Sequence, residues 1–390
     1  MKSRTLIALG AVSASTLVAH AGVVHNWNLP VNGAWNIGGN WDSGLVPGAF
    51  DGASLGHADP YTVSVTASQS VGVLSIANPN ATLGIFNAQT MTINGNTLIN
   101  NGLMVINSNL GTSATTMFFA ADCLLDGTGN ISLPQAATRS RIRTGAGMTM
   151  TQSASHMISG RGQIEAAMVN NGVIRADVAG DQMVLGVNSK TNNLLMEAVN
   201  GSRLDIVGIA ITQGVNGVLH SEGVGSEVQL RSAVVAGGSM TAGVGARSVV
   251  SASSTLDSVF ISGNLDVFNA QVLSINNSFT NDGLITVNSN SGTSATALVF
   301  NHTMILEGTG TVLLPQSASR SRIQTAGGMI LTIPASQTIL GRGQIEATIR
   351  NEGLIRADVP GDEMRLVTNA KTNTDGEFFL NQWFLSYHFV

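Results

Sequence analysis

The sequence GLMVINSNLGTSATTMFF at residues 102–119 returns as GLITVNSNSGTSATALVF at residues 283–300. The match extends in both directions, so that residues 86–192 occur a second time as residues 267–373, with an offset of 181 from Gly102 and Gly283 onward. More than half of the aligned positions are identical. Long internal repeats are typical of proteins whose structural units stack on their neighbours. The duplication therefore predicts an extended array rather than an enzyme built around one site.

Short strands separated by glycine and asparagine turns make up each copy. Asn101-Gly102, Asn171-Gly172 and Asp282-Gly283 supply the positive φ angles of tight turns. The segments that follow them alternate between apolar and polar residues, as in GLITVNS (283–289). GRGQIEA occurs at 160–166 and again at 341–347, but the glycines precede a strand rather than the helix that a dinucleotide site needs. The pattern predicts strand, turn, strand throughout.

These features predict an all-β fold, a right-handed parallel β-helix (β-solenoid) with an N-terminal cap and an internal duplication of about 181 residues. A turn of roughly 20 residues would give nine turns per duplicated unit. We place the segment boundaries as follows: signal peptide 1–21, cap 22–60, first solenoid block 61–197, intervening turns 198–266, second block 267–373 and C-terminal tail 374–390.

The N-terminal segment 1–21 has the pattern of a secretory signal. Lys2 and Arg4 precede an apolar stretch from Leu6 to Val18, and an Ala-His-Ala sequence predicts cleavage after Ala21. No later segment reaches the 18 or more apolar residues of a transmembrane helix. We therefore expect a protein that is secreted or held at the cell surface, with no transmembrane segment in the mature chain.

The composition excludes several classes of function. The net charge is −5 and lysine occurs only at positions 2, 190 and 371, which disfavours nucleic acid as a partner. Cys123 is the only cysteine and matches Met304 in the second copy, so we interpret it as a small buried apolar residue. No cofactor, metal or catalytic site is predicted, since no zinc-protease, serine-hydrolase or calcium-loop motif occurs.

The N-terminal region contains three of the four tryptophans, at positions 27, 35 and 41. We expect these rings to form the core of a cap over the first turn; the alternative is that Trp35 and Trp41 form a platform for sugars. The stretch GAWNIGGNWDSGLVPGAFDGASLGHADPYTVSV (33–65) resembles the opening of many bacterial secreted repeat proteins, with Trp35, Trp41, Pro47 and Asp51 in the signature positions.

The strings LDGTGNISL (125–133) and NNGVIRAD (170–177) resemble turns of autotransporter passengers and of planctomycete-type repeat proteins that carry a C-terminal sorting signal. This resemblance implies an extracellular β-solenoid. The aromatic tail DGEFFLNQWFLSYHFV (375–390) matches neither an outer-membrane barrel nor a sorting signal. We interpret the tail as a cap or as the mark of a truncated array.

Arginine and carboxylate residues form the densest ionic set, and nearly all of it is duplicated. The possible glycan contacts in this set are Arg139, Arg141 and Arg161 in the first copy and Arg320, Arg322 and Arg342 in the second. Arg143 is replaced by Gln324. Glu165 with Asp177, and Glu346 with Asp358, are candidate pairs of neighbouring acids.

Two functions remain open for this ionic set. Stacked ion pairs would indicate a structural or adhesive scaffold without catalytic activity, whose partners are extracellular glycans or the cell-surface matrix. A groove lined by the same side chains would instead indicate a polysaccharide-binding or polysaccharide-lyase-like protein. Duplication favours the scaffold. Oligomeric state and ligand identity are not encoded in any motif.

Overall fold

A computed structural model describes residues 22–380. The predicted signal peptide (1–21) and the end of the tail (381–390) lie outside this range. Strands make up 54% of the chain, and no α-helix occurs among the described residues. Over the same range no helix is long and apolar enough to cross a membrane. All strands pair in parallel and stack into about 15 turns, which confirms the predicted parallel β-solenoid.

The strands up to the end of the first copy are β1 (Val24–Asn26), β2 (Gly33–Ala34), β3 (Gly52–Leu55), β4 (Tyr61–Val65), β5 (Gln69–Val71), β6 (Val73–Ile76), β7 (Ala81–Ile85), β8 (Thr90–Ile93), β9 (Thr97–Asn100), β10 (Leu103–Ile106), β11 (Thr115–Phe119), β12 (Cys123–Asp126), β13 (Asn130–Thr144), β14 (Met150–Gln152), β15 (Met157–Ile164), β16 (Met168–Asn170), β17 (Val173–Ala176), β18 (Gln182–Leu185) and β19 (Lys190–Asn192). A 3-10 helix at Gly38–Asn40 lies between β2 and β3.

The intervening turns contain β20 (Leu195–Val199), β21 (Arg203–Val207), β22 (Ala210–Gln213), β23 (Val218–Glu222), β24 (Glu227–Arg231), β25 (Val234–Ala236), β26 (Ser239–Ala242), β27 (Arg247–Ala252), β28 (Ser254–Ser262) and β29 (Asn264–Val267).

The second copy contains β30 (Val272–Asn281), β31 (Leu284–Val287), β32 (Thr296–Phe300), β33 (Met304–Glu307), β34 (Thr311–Leu314), a 3-10 helix at Ala318–Arg320, β35 (Ser321–Thr325), β36 (Leu331–Ile333), β37 (Thr338–Gly341), β38 (Gln344–Ile345), β39 (Ile349–Asn351), β40 (Leu354–Ala357), β41 (Arg365–Leu366) and β42 (Lys371–Asn373). The last described strand is β43 (Glu377–Leu380).

Each turn contributes one strand to each of three parallel sheets, which we number in the order in which the chain visits them. Sheet 1 contains β4, β7 and β10, sheet 2 contains β5, β8 and β11, and sheet 3 contains β6, β9 and β12. The long strands β13, β15, β28 and β30 bend at a corner and pair in two sheets each.

Inward-facing side chains stack from turn to turn and fill the interior. In sheet 1, Val63 pairs with Leu83, Leu83 with Met104 and Met104 with Ile131, and all four are fully buried. The residues between them face outward, which is the period-two alternation seen in the sequence. Each aliphatic side chain buried in this way contributes about 1.5–3 kcal/mol to the free energy of unfolding. The strands are therefore stable only in the stack.

The N-terminal residues 22–60 form the first turn of the solenoid. β1 pairs with β3 in sheet 3, and β2 pairs with β4 in sheet 1. The loop that follows the 3-10 helix covers the outer edge of β1, where the Asp42 main-chain N–H donates to the Asn26 carbonyl. The segment thus blocks the exposed edge that would otherwise pair with another strand.

Turn length varies more than the sequence predicts. Met104 pairs with Ile131 on the adjacent turn, and Ile158 pairs with Ile174 on the adjacent turn, so the first of these turns takes up far more of the chain than the second. The longest turns carry loops at a corner. The expected number of about nine turns per duplicated unit is slightly too high, because the chain makes eight full turns and one further face between equivalent strands of the two copies.

Candidate functional site

Equivalent strands of the two copies lie on different sheets of the solenoid. In the first copy β10 belongs to sheet 1 and β11 to sheet 2. Their equivalents in the second copy, β31 and β32, belong to sheets 2 and 3, because β31 stacks on β29 and β27 and β32 stacks on β30 and β28. The second copy is therefore rotated by one face, a third of a turn, about the solenoid axis.

One glutamate in each copy binds the basic residues of the turn before it. Arg141 and Arg143 lie 3.3 and 3.1 Å from Glu165. In the second copy Arg322 lies 3.4 Å from Glu346, and the Gln324 amide donates to the same carboxylate at 2.6 Å. These contacts are the stacked ion pairs that the sequence predicts, and Gln324 takes the place of Arg143 as a hydrogen-bond donor.

Arg161 holds a loop in place. Its Nε donates to the Pro134 carbonyl at 2.8 Å, and the guanidinium lies 2.8 Å from Asp181 on the next turn. Arg342 repeats both contacts, with the Pro315 carbonyl at 2.7 Å and Asp362 at 2.9 Å. Because each arginine is committed to a main-chain carbonyl and to a carboxylate, we assign Arg161 and Arg342 a structural role.

Two loops project from one corner in each copy, and we call them the corner loops. In the first copy they are residues 107–114, between β10 and β11, and 134–139, inside β13. In the second copy they are residues 288–295 and 315–320. The first pair lies between sheets 1 and 2 and the second pair between sheets 2 and 3.

A buried asparagine ties the two loops of each corner together. The Asn107 side-chain amide donates to the carbonyls of Gly111, Ser113 and Arg139 at 2.9–3.3 Å. Asn288 makes the same three bonds in the second copy. Both asparagines have a positive φ angle, 71° and 67°, which asparagine tolerates better than most residues. The corner loops are thus rigid, internally hydrogen-bonded structures.

Arg139 and Arg320 differ from the other arginines of the set. Both are exposed on the corner loops, and neither side chain has a hydrogen-bond or ion-pair partner among the described residues. Their main-chain carbonyls are used by Asn107 and Asn288, while their guanidinium groups face solvent. Of the possible glycan contacts predicted from the sequence, these two are the most accessible.

The four candidate acids do not lie together in pairs. Glu165 lies just after the sheet 2 part of β15, whereas Asp177 follows β17 in sheet 1, so the two residues stand at opposite ends of sheet 2. Glu346 and Asp358 are separated in the same way, by β38 and β40 on different sheets. Burial raises the pKa of Asp177, and Arg175 opposes the shift. The expectation that these acids are neighbours is wrong.

Trp35 and Trp41 are buried in the first turn. Their rings lie 4.8 Å apart in an edge-to-face arrangement, and Trp27 packs on Trp41 at 5.1 Å. Trp35 is 0% and Trp41 1% exposed, so neither ring can serve as a surface platform for sugars. The prediction that Trp35 and Trp41 could contact a glycan is therefore wrong. The three rings instead form the small core that the sequence predicts for this region.

Lys190 and Lys371 are the equivalent lysines of the two copies, and the sequence reasoning attached no role to them. Lys190 is buried and donates to the Gly186 and Asn188 carbonyls at 3.2 and 2.8 Å. Burial lowers the pKa of its ammonium group to about 7. Lys371 contacts the matching carbonyls, and burial lowers its pKa to about 8. The available signal was that the only lysines past position 2 occupy matched sites.

His156 and Gln337 occupy matched positions, and each forms a hydrogen bond with a buried asparagine two turns earlier in the solenoid. The Asn100 amide donates to His156 Nε2 at 3.0 Å, and the Asn281 amide contacts Gln337 Oε1 at 3.4 Å. Both bonds span two turns. Burial lowers the pKa of His156 to about 4. Since an amide fills the same position in the second copy, His156 acts as a neutral hydrogen-bonding group.

The single cysteine is a buried thiol. Cys123 is buried on β12, and burial raises the pKa of its thiol to about 12. Within residues 22–380, no group of three or more histidine, cysteine, aspartate or glutamate side chains is arranged to hold a metal ion. The open groove of about 540 Å³ beside Cys123, lined also by Asp122 and Thr151, carries no such cluster either.

No protein-family model, no curated protein and no solved structure matches this chain.

Proposed function

We propose that this protein is an exported structural rod, a stalk or adhesive scaffold at a bacterial cell surface or in the surrounding matrix. About 15 turns at a spacing of about 4.8 Å give a length on the order of 70 Å. Export is supported by the signal pattern of residues 1–21, with cleavage after Ala21. The turn sequences favour the autotransporter-passenger or planctomycete repeat type among bacterial β-solenoids.

The observation that carries this proposal is the placement of the duplicated ionic set. Each copy completes its own contacts, Arg161 with Asp181 and Arg342 with Asp362, on a separate corner of the rod. A catalytic centre needs its groups within reach of one substrate bond. Two self-contained sets that face different directions serve instead to hold loops on a rigid body, and they support a scaffold rather than an enzyme.

The second candidate function is polysaccharide binding, which the exposed guanidinium groups of Arg139 and Arg320 favour. This function is compatible with a rod that adheres to a matrix. A lyase reaction would further require an acid or base beside the arginines, and Glu165 and Glu346 are already bound by basic or amide side chains.

The test is a depolymerisation and binding screen on residues 22–390, with and without Ca²⁺, over neutral and acidic polysaccharides. New reducing or unsaturated ends would overturn the scaffold proposal. Retention on a polysaccharide or on isolated cell-surface material without cleavage would support it. Solution X-ray scattering on the same sample should give a rod whose cross-section is much smaller than its length, and a globular particle would contradict the proposal.

A further inference from the structure

Four charged side chains are exposed in residues 102–192; one of them is the same residue in the second copy, and another keeps only its negative charge. In residues 102–192 the exposed charged side chains are Asp122, Asp126, Arg139 and Arg143. Their counterparts are Thr303, Glu307, Arg320 and Gln324. Only the arginine of the corner loop is the same residue in both copies. Because its side chain has no partner within the described protein, packing does not explain why it was kept.

One of the two corner loops is almost unchanged between the copies, whereas the loop that contains the arginine differs at two of its six positions, Ala136 against Ser317 and Thr138 against Ser319. Residues 107–114 and 288–295 differ at a single position, Leu110 against Ser291. The loop at 134–139 interrupts the ladder between β13 and β15, where register shifts occur on both sides of Ala137. A solenoid turn does not need such an insertion, since the turn from Ile158 to Ile174 closes without one. The loops are therefore kept for what they present to solvent.

The loop surface suits an acidic, hydroxyl-rich chain. Arg139 contributes a planar guanidinium that fits a carboxylate or sulfate group, and exposed Asn109, Thr112 and Ser113 contribute hydrogen-bonding groups beside it. Asn107 and Arg161 hold the two loops, so binding costs little conformational entropy. Two carboxylates lie at the same corner in later turns. Asp181 is paired with Arg161, and Asp177 interacts electrostatically with Arg175.

We propose that each corner-loop pair is a binding site for an acidic polysaccharide, with Arg139 and Arg320 as the central contacts, and that the rod carries two such sites facing different directions. Eight turns and one face separate them, which is on the order of 40 Å along the axis. A single chain running along one corner meets only one site. The protein thus holds two separate polysaccharide chains and cross-links them. This inference rests on the proposed scaffold function and gives it a partner.

The experiment uses residues 22–390 and two acidic probes, polygalacturonate oligomers for carboxylate and chondroitin sulfate oligomers for sulfate, with dextran as the neutral probe. Isothermal titration gives the number of sites and the affinity of each. The variants are R139Q, R320Q and the double substitution. R350Q is the matched control, because Arg350 is exposed and paired with Glu352, and its counterpart in the first copy is Val169.

We expect two sites per chain on at least one acidic probe and none on dextran. Each single variant should lose one site, with affinity there weakened roughly tenfold or more, while the other site is unchanged. The double variant should lose both and R350Q neither. In a second assay, two populations of polysaccharide-coated beads should be joined by the wild-type protein and by R350Q but by neither single variant.

Several results would overturn the inference. These are no binding to either acidic probe, a single site in the wild-type protein, loss of all binding in one single variant, or unchanged binding in the double variant. None of these results contradicts the proposed scaffold function, because X-ray scattering and the depolymerisation screen test that function separately. Cleavage of the probe, in contrast, would refute the scaffold proposal even if two sites were counted.

Discussion

Exchanging His156 and Gln337 between the two copies should exchange the pH dependence of their local stability. His156 is 1% exposed, its Nδ1 has no hydrogen-bond partner, and burial lowers its pKa from 6.5 to about 4. Gln337 occupies the matched position and cannot titrate. The first copy should therefore lose stability in mild acid while the second copy does not.

The sign and size follow from proton binding. Between pH 6.5 and 4 the unfolded chain binds a proton at His156 and the folded chain does not, so the free energy of unfolding falls as the pH is lowered through this window. The whole shift is worth about 3 kcal/mol, and the part lost between pH 7.5 and pH 5 is about 2 kcal/mol. This corresponds to a roughly thirty-fold larger population of the locally opened state.

The assay is amide hydrogen exchange by mass spectrometry at pH 7.5 and pH 5, corrected for the chemical exchange rate, because a solenoid opens in segments rather than as one unit. Peptides from 97–103 and 150–158 report on the first copy, and 278–284 and 331–339 on the second. In the wild-type protein only the first pair should lose protection at pH 5. H156Q should abolish the loss, and Q337H should create it in the second copy.

Two results would refute this reasoning. If H156Q keeps the same loss of protection at pH 5, another group is responsible for it. If the Q337H variant folds and its second copy is still insensitive to pH, then the two matched positions are not equivalent. The imidazole at position 337 is in that case not buried in its neutral form.

Arg161→Ala and Arg342→Ala should each destabilise their own copy by about 1–3 kcal/mol, because each removes a charge-assisted hydrogen bond to a loop carbonyl. Thermal unfolding should show similar decreases in melting temperature for both variants. Loss of ligand binding with unchanged stability would contradict a structural role. In the wild-type protein the free energy of unfolding should rise by about 2 kcal/mol between pH 7 and pH 9, because in that window Lys190 is protonated in the unfolded chain and has lost its proton in the folded one. Lys190→Met should abolish this rise. Denaturant titration at both pH values measures the free energy of unfolding. Cys123 should resist thiol reagents at pH 8 in the folded protein and react after denaturation, and fast labelling of the native chain would show that β12 opens.

The sequence was sufficient for the fold because its signals are local. Alternation in stretches such as Tyr61–Val65 and turn pairs such as Asn171-Gly172 specify strands and corners without any long-range information. The tryptophan core of the first turn was predictable for a similar reason, since large rings concentrated at the start of a solenoid have one interior to fill. The ion pairs Arg141–Glu165 and Arg322–Glu346 could be expected from their alternation, but not their exact partners.

The features that could not be predicted from the sequence depend on the residue at which each turn of the solenoid closes. The long turn from Met104 to Ile131 and the short turn from Ile158 to Ile174 carry the same strand pattern, so the length of a segment does not give its number of turns. The rotation of the second copy depends on the total number of faces that the chain passes between the copies. The separation of Glu165 from Asp177 likewise depends on which corner each residue reaches. The exposure of Arg139 was equally hidden, because Arg139 and Arg141 are identical in type and close in sequence.

A duplication that is not a whole number of turns is stable because the three sheets are chemically interchangeable. In each sheet an outward residue alternates with an apolar residue that stacks on the one below, and β31 on sheet 2 meets the same environment as β10 on sheet 1. The contacts that hold the corner loops lie within the loops or one turn away, so they move with the copy. Duplication by eight turns and one face therefore preserves every site while turning it to a new corner. A whole-turn duplication would have aligned the sites along one edge, where a single chain could occupy both; the extra face is what makes this rod a cross-link.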